Sequence, residues 1–177
     1  MSKPDPDLPF SHPVPVATLH GETYLKLAPD AAARERIADE LSLDGIDALS
    51  AEMKVTHANN GLVTIEGQLE AKVHPVCVVS LEPFDQTISE PVIVKFAPAG
   101  LIEKMTTRAE ENGDEDFEPP DEIIDGVIDF GAVVTEFLAL SLDPYPRKPN
   151  AVFKGGDPVE PKISPFDALK ALKADKA

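Results

Sequence analysis

One cysteine, no tryptophan, and 16 Lys and Arg against 32 Asp and Glu set the first limits on this 177-residue chain. A lone Cys77 cannot close a disulfide within the chain, so the fold needs no covalent staple and a reducing compartment is the simpler reading. Structural zinc takes four Cys or His ligands. One cysteine and four scattered histidines, His12, His20, His57 and His74, do not supply them, so no metal site is expected. Apolar runs are short as well: MSKPDPDLPFSHPVPV has no segment of signal-peptide length, and no stretch is long enough to span a bilayer. The expectation is a cytoplasmic protein. Also missing are G-x-S-x-G, the phosphate-cradling G-x-x-x-x-G-K-[ST] and G-x-G-x-x-G. The acidic run at 110–122 lacks the regular oxygen spacing and central glycine of an EF-hand loop. No catalytic residue, metal ligand or cofactor is assigned, and the chain reads as a non-enzyme.

What the chain has in excess is negative charge, unevenly spread. Residues 1–144 hold 9 Lys and Arg against 28 Asp and Glu, a balance of −19, whereas residues 145–177 hold 7 against 4, a balance of +3. Clustered cations drive nucleic-acid binding by releasing counterions, so the body repels RNA and only the C-terminal segment suits it. Basic proteins are the natural partners of the body. Apolar residues make up 42% of the chain, enough for a globular core, while 18 prolines imply much irregular backbone.

Along the chain, the proline-spaced start reads as extended. ETYLKLA, 22–28, reads as a short strand, and PDAAARERIADEL as a helix over about 30–42 with Ala33, Ile37 and Leu41 on one stripe. The clearest pattern follows. Leu49, Ala51, Met53 and Val55, then Val63, Ile65, Leu69, Ala71 and Val73, alternate with polar residues, which is the period of strands with one buried face. Odd positions on both strands demand an odd-length loop. A three-residue Asn59-Asn60-Gly61 loop with a left-handed Gly61 fits and pairs Val55 with Ile65. In TISEPVIVKF the apolar set moves to even positions, Ile88, Val92, Val94 and Phe96, so the second connection must be even. LEPF at 81–84, built on Glu82-Pro83, is the expected turn.

Residues 103–129 carry 11 acidic residues, and their charge density predicts a mobile excursion of weak order. After it Asp129 is a plausible N-cap for a helix with Val133, Val134, Phe137, Leu138 and Ser141 on one face. A last short helix is read in PFDALKALK, with Phe166, Leu169 and Leu172 on one side. The predicted fold is α+β: an antiparallel meander sheet covered by one or two helices, with a flexible acidic segment at 103–126 and extended tails. It forms one domain, with its ordered core at about 14–98 and 127–173.

If the second long strand ran through residue 77, Cys77 would continue the odd apolar series while His74 fell on the polar face. Such a pair points apart, against nucleophilic Cys-His chemistry. Free cysteine is usually a buried, small apolar side chain, and Cys77 is read as a core thiol near a turn.

GQLEAKVHPVCVVSLEPF, then a strand and an acidic stretch, IDFGAVVTEFLALSLDPYPRKP, and a terminal SPFDALKAL occur in an order that resembles the bacterial YceD family, the large ribosomal RNA subunit accumulation proteins. The resemblance spans roughly residues 14–173, and LDPYPRKPN looks like the alphaproteobacterial branch. It implies a non-enzymatic role in producing or accumulating large-subunit (23S) ribosomal RNA. Many members carry C-x-x-C at the turn; here Cys77 matches the first cysteine and Ser80 stands at the second, which speaks against metal binding. Cys77, Ser80, Glu82 and Pro83 are accordingly read as a structural turn, and Tyr145, Arg147, Lys148 and Lys154 as partner-binding residues. The expected partners are basic ribosomal or assembly proteins, with large-subunit RNA at the C-terminal segment and no membrane. The competing reading is a generic acidic adaptor or chaperone for a basic client.

Overall fold

A computed structural model describes residues 5–153. The alternating segments form three long strands, β3 (Gly45–His57), β4 (Val63–His74) and β5 (Gln86–Ala97), preceded by β2 (Gly21–Leu27). These run as an antiparallel meander, β2-β3-β4-β5, and a two-residue strand β6 (Asp121–Glu122) extends the sheet by pairing parallel to the end of β5. A separate two-stranded ribbon joins β1 (Pro13–Pro15) to β7 (Val127–Asp129). The α+β meander with covering helices is the architecture that the alternation predicts.

Both parity arguments hold. Val55 pairs with Ile65 across β3 and β4, and Gly61 takes φ +93° in the connecting loop, closed by the Ala58 N–H to the Leu62 carbonyl at 2.8 Å. Between β4 and β5 odd residues face even ones, as in Ile65 with Val94 and Ala71 with Ile88. The position of the second turn differs from the expectation. Val76 bridges Pro83, the chain reverses through residues 78–81, and Leu81 takes a left-handed φ of 59°. Glu82 and Pro83 thus lie on the returning arm, because the bend forms around the Cys77 sulfur, which draws the following backbone N–H groups toward itself.

The odd-numbered side chains of β3 and β4 point to one apolar face. α1 (Ala31–Glu40) and α3 (Phe130–Ser141) cover it: Ile37 and Ala38 of α1 join Phe130, Val133, Val134 and Leu138 of α3 in one cluster with Val55, Ile65, Leu69 and Val92. Asp30 caps α1 by accepting from the Ala33 N–H. Asp129 is the predicted N-cap of α3 and does more. Its carboxylate accepts from the Gly131 and Ala132 N–H groups, from the His12 N–H and from the Ser11 hydroxyl, so it fastens the N-terminal segment to the helix start.

The acidic excursion holds more regular structure than its composition implies. Residues 99–112 form α2 (Ala99–Asn112), which ends at a left-handed Gly113 (φ 67°), a common helix stop. Leu101, Ile102, Met105 and Ala109 lie on its more sheltered side. Asp125-Gly126, both with positive φ, then turns the chain back into β7. The terminal helix read at PFDALKALK lies outside the described residues.

Gly67 faces Met53 at the centre of the sheet. A Cβ there would fall 2.2 Å from the Glu52 carbonyl oxygen and 2.9 Å from the Met53 Cα, so the two backbones approach as only glycine allows. Gly67→Ala is expected to lower stability by about 1–3 kcal/mol, as overpacked interiors do, measured by urea unfolding. An unchanged midpoint would contradict the close approach.

Candidate binding surface at the cysteine turn

Cys77 is completely buried at the end of the sheet. Its sulfur accepts the N–H groups of Val79 at 3.4 Å and Ser80 at 3.5 Å, the geometry of a chain that wraps its own thiol. A third N–H, from Lys148, reaches it at 3.3 Å from a segment 71 positions away. That segment, Asp143-Pro144-Tyr145-Pro146-Arg147-Lys148, is held again where the Val78 N–H donates to the Pro146 carbonyl at 2.9 Å. The Lys148 ammonium meets Glu82 at 3.1 Å. The turn residues and Lys148 are therefore one assembly, a knuckle and the strap that crosses it, and the strap also carries Tyr145 and Arg147.

The strap leaves its side chains on the surface. Tyr145 is 71% exposed, Arg147 is exposed, and neither takes part in an ion pair or side-chain hydrogen bond among the described residues. The Tyr145 backbone N–H is fixed by the Asp143 carboxylate at 2.8 Å. Lys154 lies outside the described residues. Leu81, 77% exposed, and Val78 add apolar surface beside the strap.

The surroundings hold the Cys77 thiol down at about 6. The Ser80 hydroxyl contributes most; burial opposes it, and the N–H groups of Ser80, Lys148 and Val79 add to the lowering. The Ser80 oxygen is itself enclosed and completes no hydrogen bond among the described residues, so an anionic sulfur gives that hydroxyl its natural acceptor. The sulfur stays enclosed, and a nucleophile needs an open path to its substrate. Among the described residues no group of three or more His, Cys, Asp or Glu side chains is arranged to hold a metal ion.

His74 is occupied elsewhere. Its Nε2 lies 3.1 Å from Asp47 and its Nδ1 3.0 Å from Asp85, so both ring nitrogens face carboxylates. The hydrogen bond to Asp47 is foremost in raising its pKa above 6.5; burial, next in size, opposes it, and the Asp47 charge and then Asp85 add to the rise. No sequence pattern marks this trio. Asp47 reaches His74 because the β3–β4 register shifts between Ile46 and Ala48, leaving Asp47 as the extra residue of a bulge.

The two groups give opposite pH signatures. A thiol lowered from 9.0 to about 6 contributes stability that is fully present above pH 9 and lost as the pH falls through 6. Replacing Cys77 by Ala is thus expected to cost more stability at pH 8.5 than at pH 6, read by urea unfolding; an equal cost at both values would mean a neutral thiol. His74 is raised, so its contribution is complete below pH 6.5 and fades as the pH climbs through the higher folded value. His74→Gln should accordingly cost most near pH 5.5 and least above pH 8.5, and the reverse order would refute the double ion pair.

Comparison with known proteins bears on this assembly directly. No curated protein and no solved structure matches the chain. The family described as Large ribosomal RNA subunit accumulation protein YceD matches residues 65–173, more than half of the chain, from near the start of β4 through the cysteine turn and the strap. With the knuckle, the covering helix α3 and the strap all inside the matched span, the chain belongs to the YceD family of large ribosomal RNA subunit accumulation proteins.

Proposed function

We propose that this protein is a cytoplasmic, non-enzymatic factor that supports accumulation of large-subunit (23S) ribosomal RNA by binding. The family match over residues 65–173 carries the reading. Charge supports the division of labour: the body, at −19 over residues 1–144, suits basic ribosomal or assembly proteins, and the segment from residue 145, at +3, suits RNA. Tyr145, Arg147, Lys148 and Lys154 are the residues assigned to that second contact. Tyr145 offers an exposed ring on which a base can stack, and Arg147 an exposed guanidinium for phosphate. No helix of the described residues is long and apolar enough to cross a membrane.

The acidity of the body equally favours an adaptor for some other basic client, so the test must separate the two. Deleting the gene is expected to lower large-subunit ribosomal RNA relative to small-subunit RNA, and the tagged protein should retain large-subunit components in purification. Normal RNA levels with a different basic protein aggregating would favour the adaptor. Tyr145→Ala with Arg147→Ala should weaken RNA crosslinking in cells while leaving the purified protein's melting temperature in place; crosslinks that persist unchanged would remove the strap from the RNA contact.

A further inference from the structure

We propose that the groove between β6, β7 and α3 docks a basic protein segment carrying apolar anchors; this rests on the protein-binding role proposed above and gives it a place. The groove encloses about 650 Å3. Leu8, Phe96, Val127 and Val133 contribute its apolar lining, and Ile124 at its side is 68% exposed. Five carboxylates stand around it, Asp5, Asp121, Glu122, Asp125 and Glu136, in addition to the helix-capping Asp129. Among the described residues no Lys, Arg or His lines it and none of the five is ion-paired.

Two comparisons within the molecule separate this from the general acidity of the chain. The shallow depression on the outer face of the sheet, beside Tyr24, interleaves Lys26 and Lys54 with Glu52 and Glu66, and each lysine is ion-paired. The depression between α1, the cysteine turn and the end of α3 has a single carboxylate, Asp143, in its lining. Only at β6, β7 and α3, among these depressions, do carboxylates from the N-terminal segment, the 121–125 stretch and α3 converge on an apolar floor with no cation among the described residues. Three of the five, Asp121, Glu122 and Asp125, come from one acidic stretch; topology adds Glu136 of α3 and Asp5, which is more than a hundred positions from Asp121.

Chemistry selects the occupant. Carboxylates repel phosphate, which excludes RNA and anionic lipid. The carboxylates do not form a metal-holding cluster. Carboxylates of one sign lining a cleft focus a negative potential there, which attracts cations. An apolar floor rewards buried side chains. Lys or Arg flanking Leu, Ile or Phe satisfies both demands.

The test uses the full chain and a synthetic peptide with Lys and Leu at helical spacing, together with its Leu→Ser counterpart and poly-lysine of equal length. Removing four exposed rim charges (Asp121→Asn, Glu122→Gln, Asp125→Asn, Glu136→Gln) is expected to weaken the Lys–Leu peptide about tenfold by fluorescence anisotropy, while four acid-to-amide changes elsewhere (at Glu66, Glu70, Glu90 and Glu103) weaken it less than about twofold. Ile124→Ala, at an exposed site that the fold does not need, should cost several-fold. Equal losses from the two charge sets, or poly-lysine binding as tightly as Lys–Leu, would reduce the effect to net charge and overturn the groove. So would a requirement to delete residues 154–177 before any peptide binds, since the occupant would then be the chain itself. With proteins extracted from large ribosomal subunits as the probe, retention by the wild type that the rim variant leaves undiminished removes the groove alone. Retention by neither removes the protein-binding reading as well.

Discussion

An antiparallel sheet with one apolar face must have that face covered, and this one-sided burial organises the molecule. Val55, Val63, Ile65 and Val73 have no exposed surface, yet their strand neighbours Glu52, Glu66, Gln68 and Glu70 stand in solvent. The alternation commits every strand to a single register, because a slip of one residue would turn the whole apolar set outward. α1 is delivered locally, on the short connection between β2 and β3. α3 arrives from far along the chain and needs an anchor, which Asp129 provides by tying the helix start to the N-terminal segment. At Gly131, where a Cβ would lie 2.6 Å from the Phe10 carbonyl oxygen, the helix and that segment meet too closely for any other residue.

Polar groups that the cover strands are dealt with at the sheet ends. The β4–β5 turn buries a sulfur and surrounds it with N–H groups, using a soft acceptor where a tight reversal would otherwise leave backbone donors unmatched. The same turn holds the strap, and the strap carries the change of sign in the chain's charge. Structural contacts and exposed cations thus meet in a few residues. Lys148 is the clearest case: its backbone N–H serves the buried sulfur, and its ammonium is drawn to Glu82 on the surface.

What the sequence made legible follows from periodicity and local chemistry. The alternation of β3, β4 and β5 fixed strand number, parity and the Val55–Ile65 pairing, and the Asp129 cap was visible as an acidic residue before an apolar helical stripe. α2 was legible in principle: Leu101, Met105 and Ala109 recur at helical spacing, with Pro98 before and Gly113 after, but the surrounding charge masked them. The turn position was not legible. Parity requires an even number of residues and says nothing of where the bend falls, and it was set by the pull of the Cys77 sulfur on its neighbours. The Asp47–His74–Asp85 trio and the acidic groove depend on a bulge and on contacts between distant segments, for which a single sequence carries no local mark.

The ribbon of β1 with β7 pairs Pro13 with Asp129, a closure across most of the chain. As the polypeptide is made, the meander is complete once residue 97 has emerged, but its second cover, α3, is not available until residue 141 follows. For that interval α1 alone covers the apolar face, and long-range closures of this kind form slowly. The stretch in between is rich in negative charge, and charge of one sign favours the solubility of a chain whose face still waits for its lid.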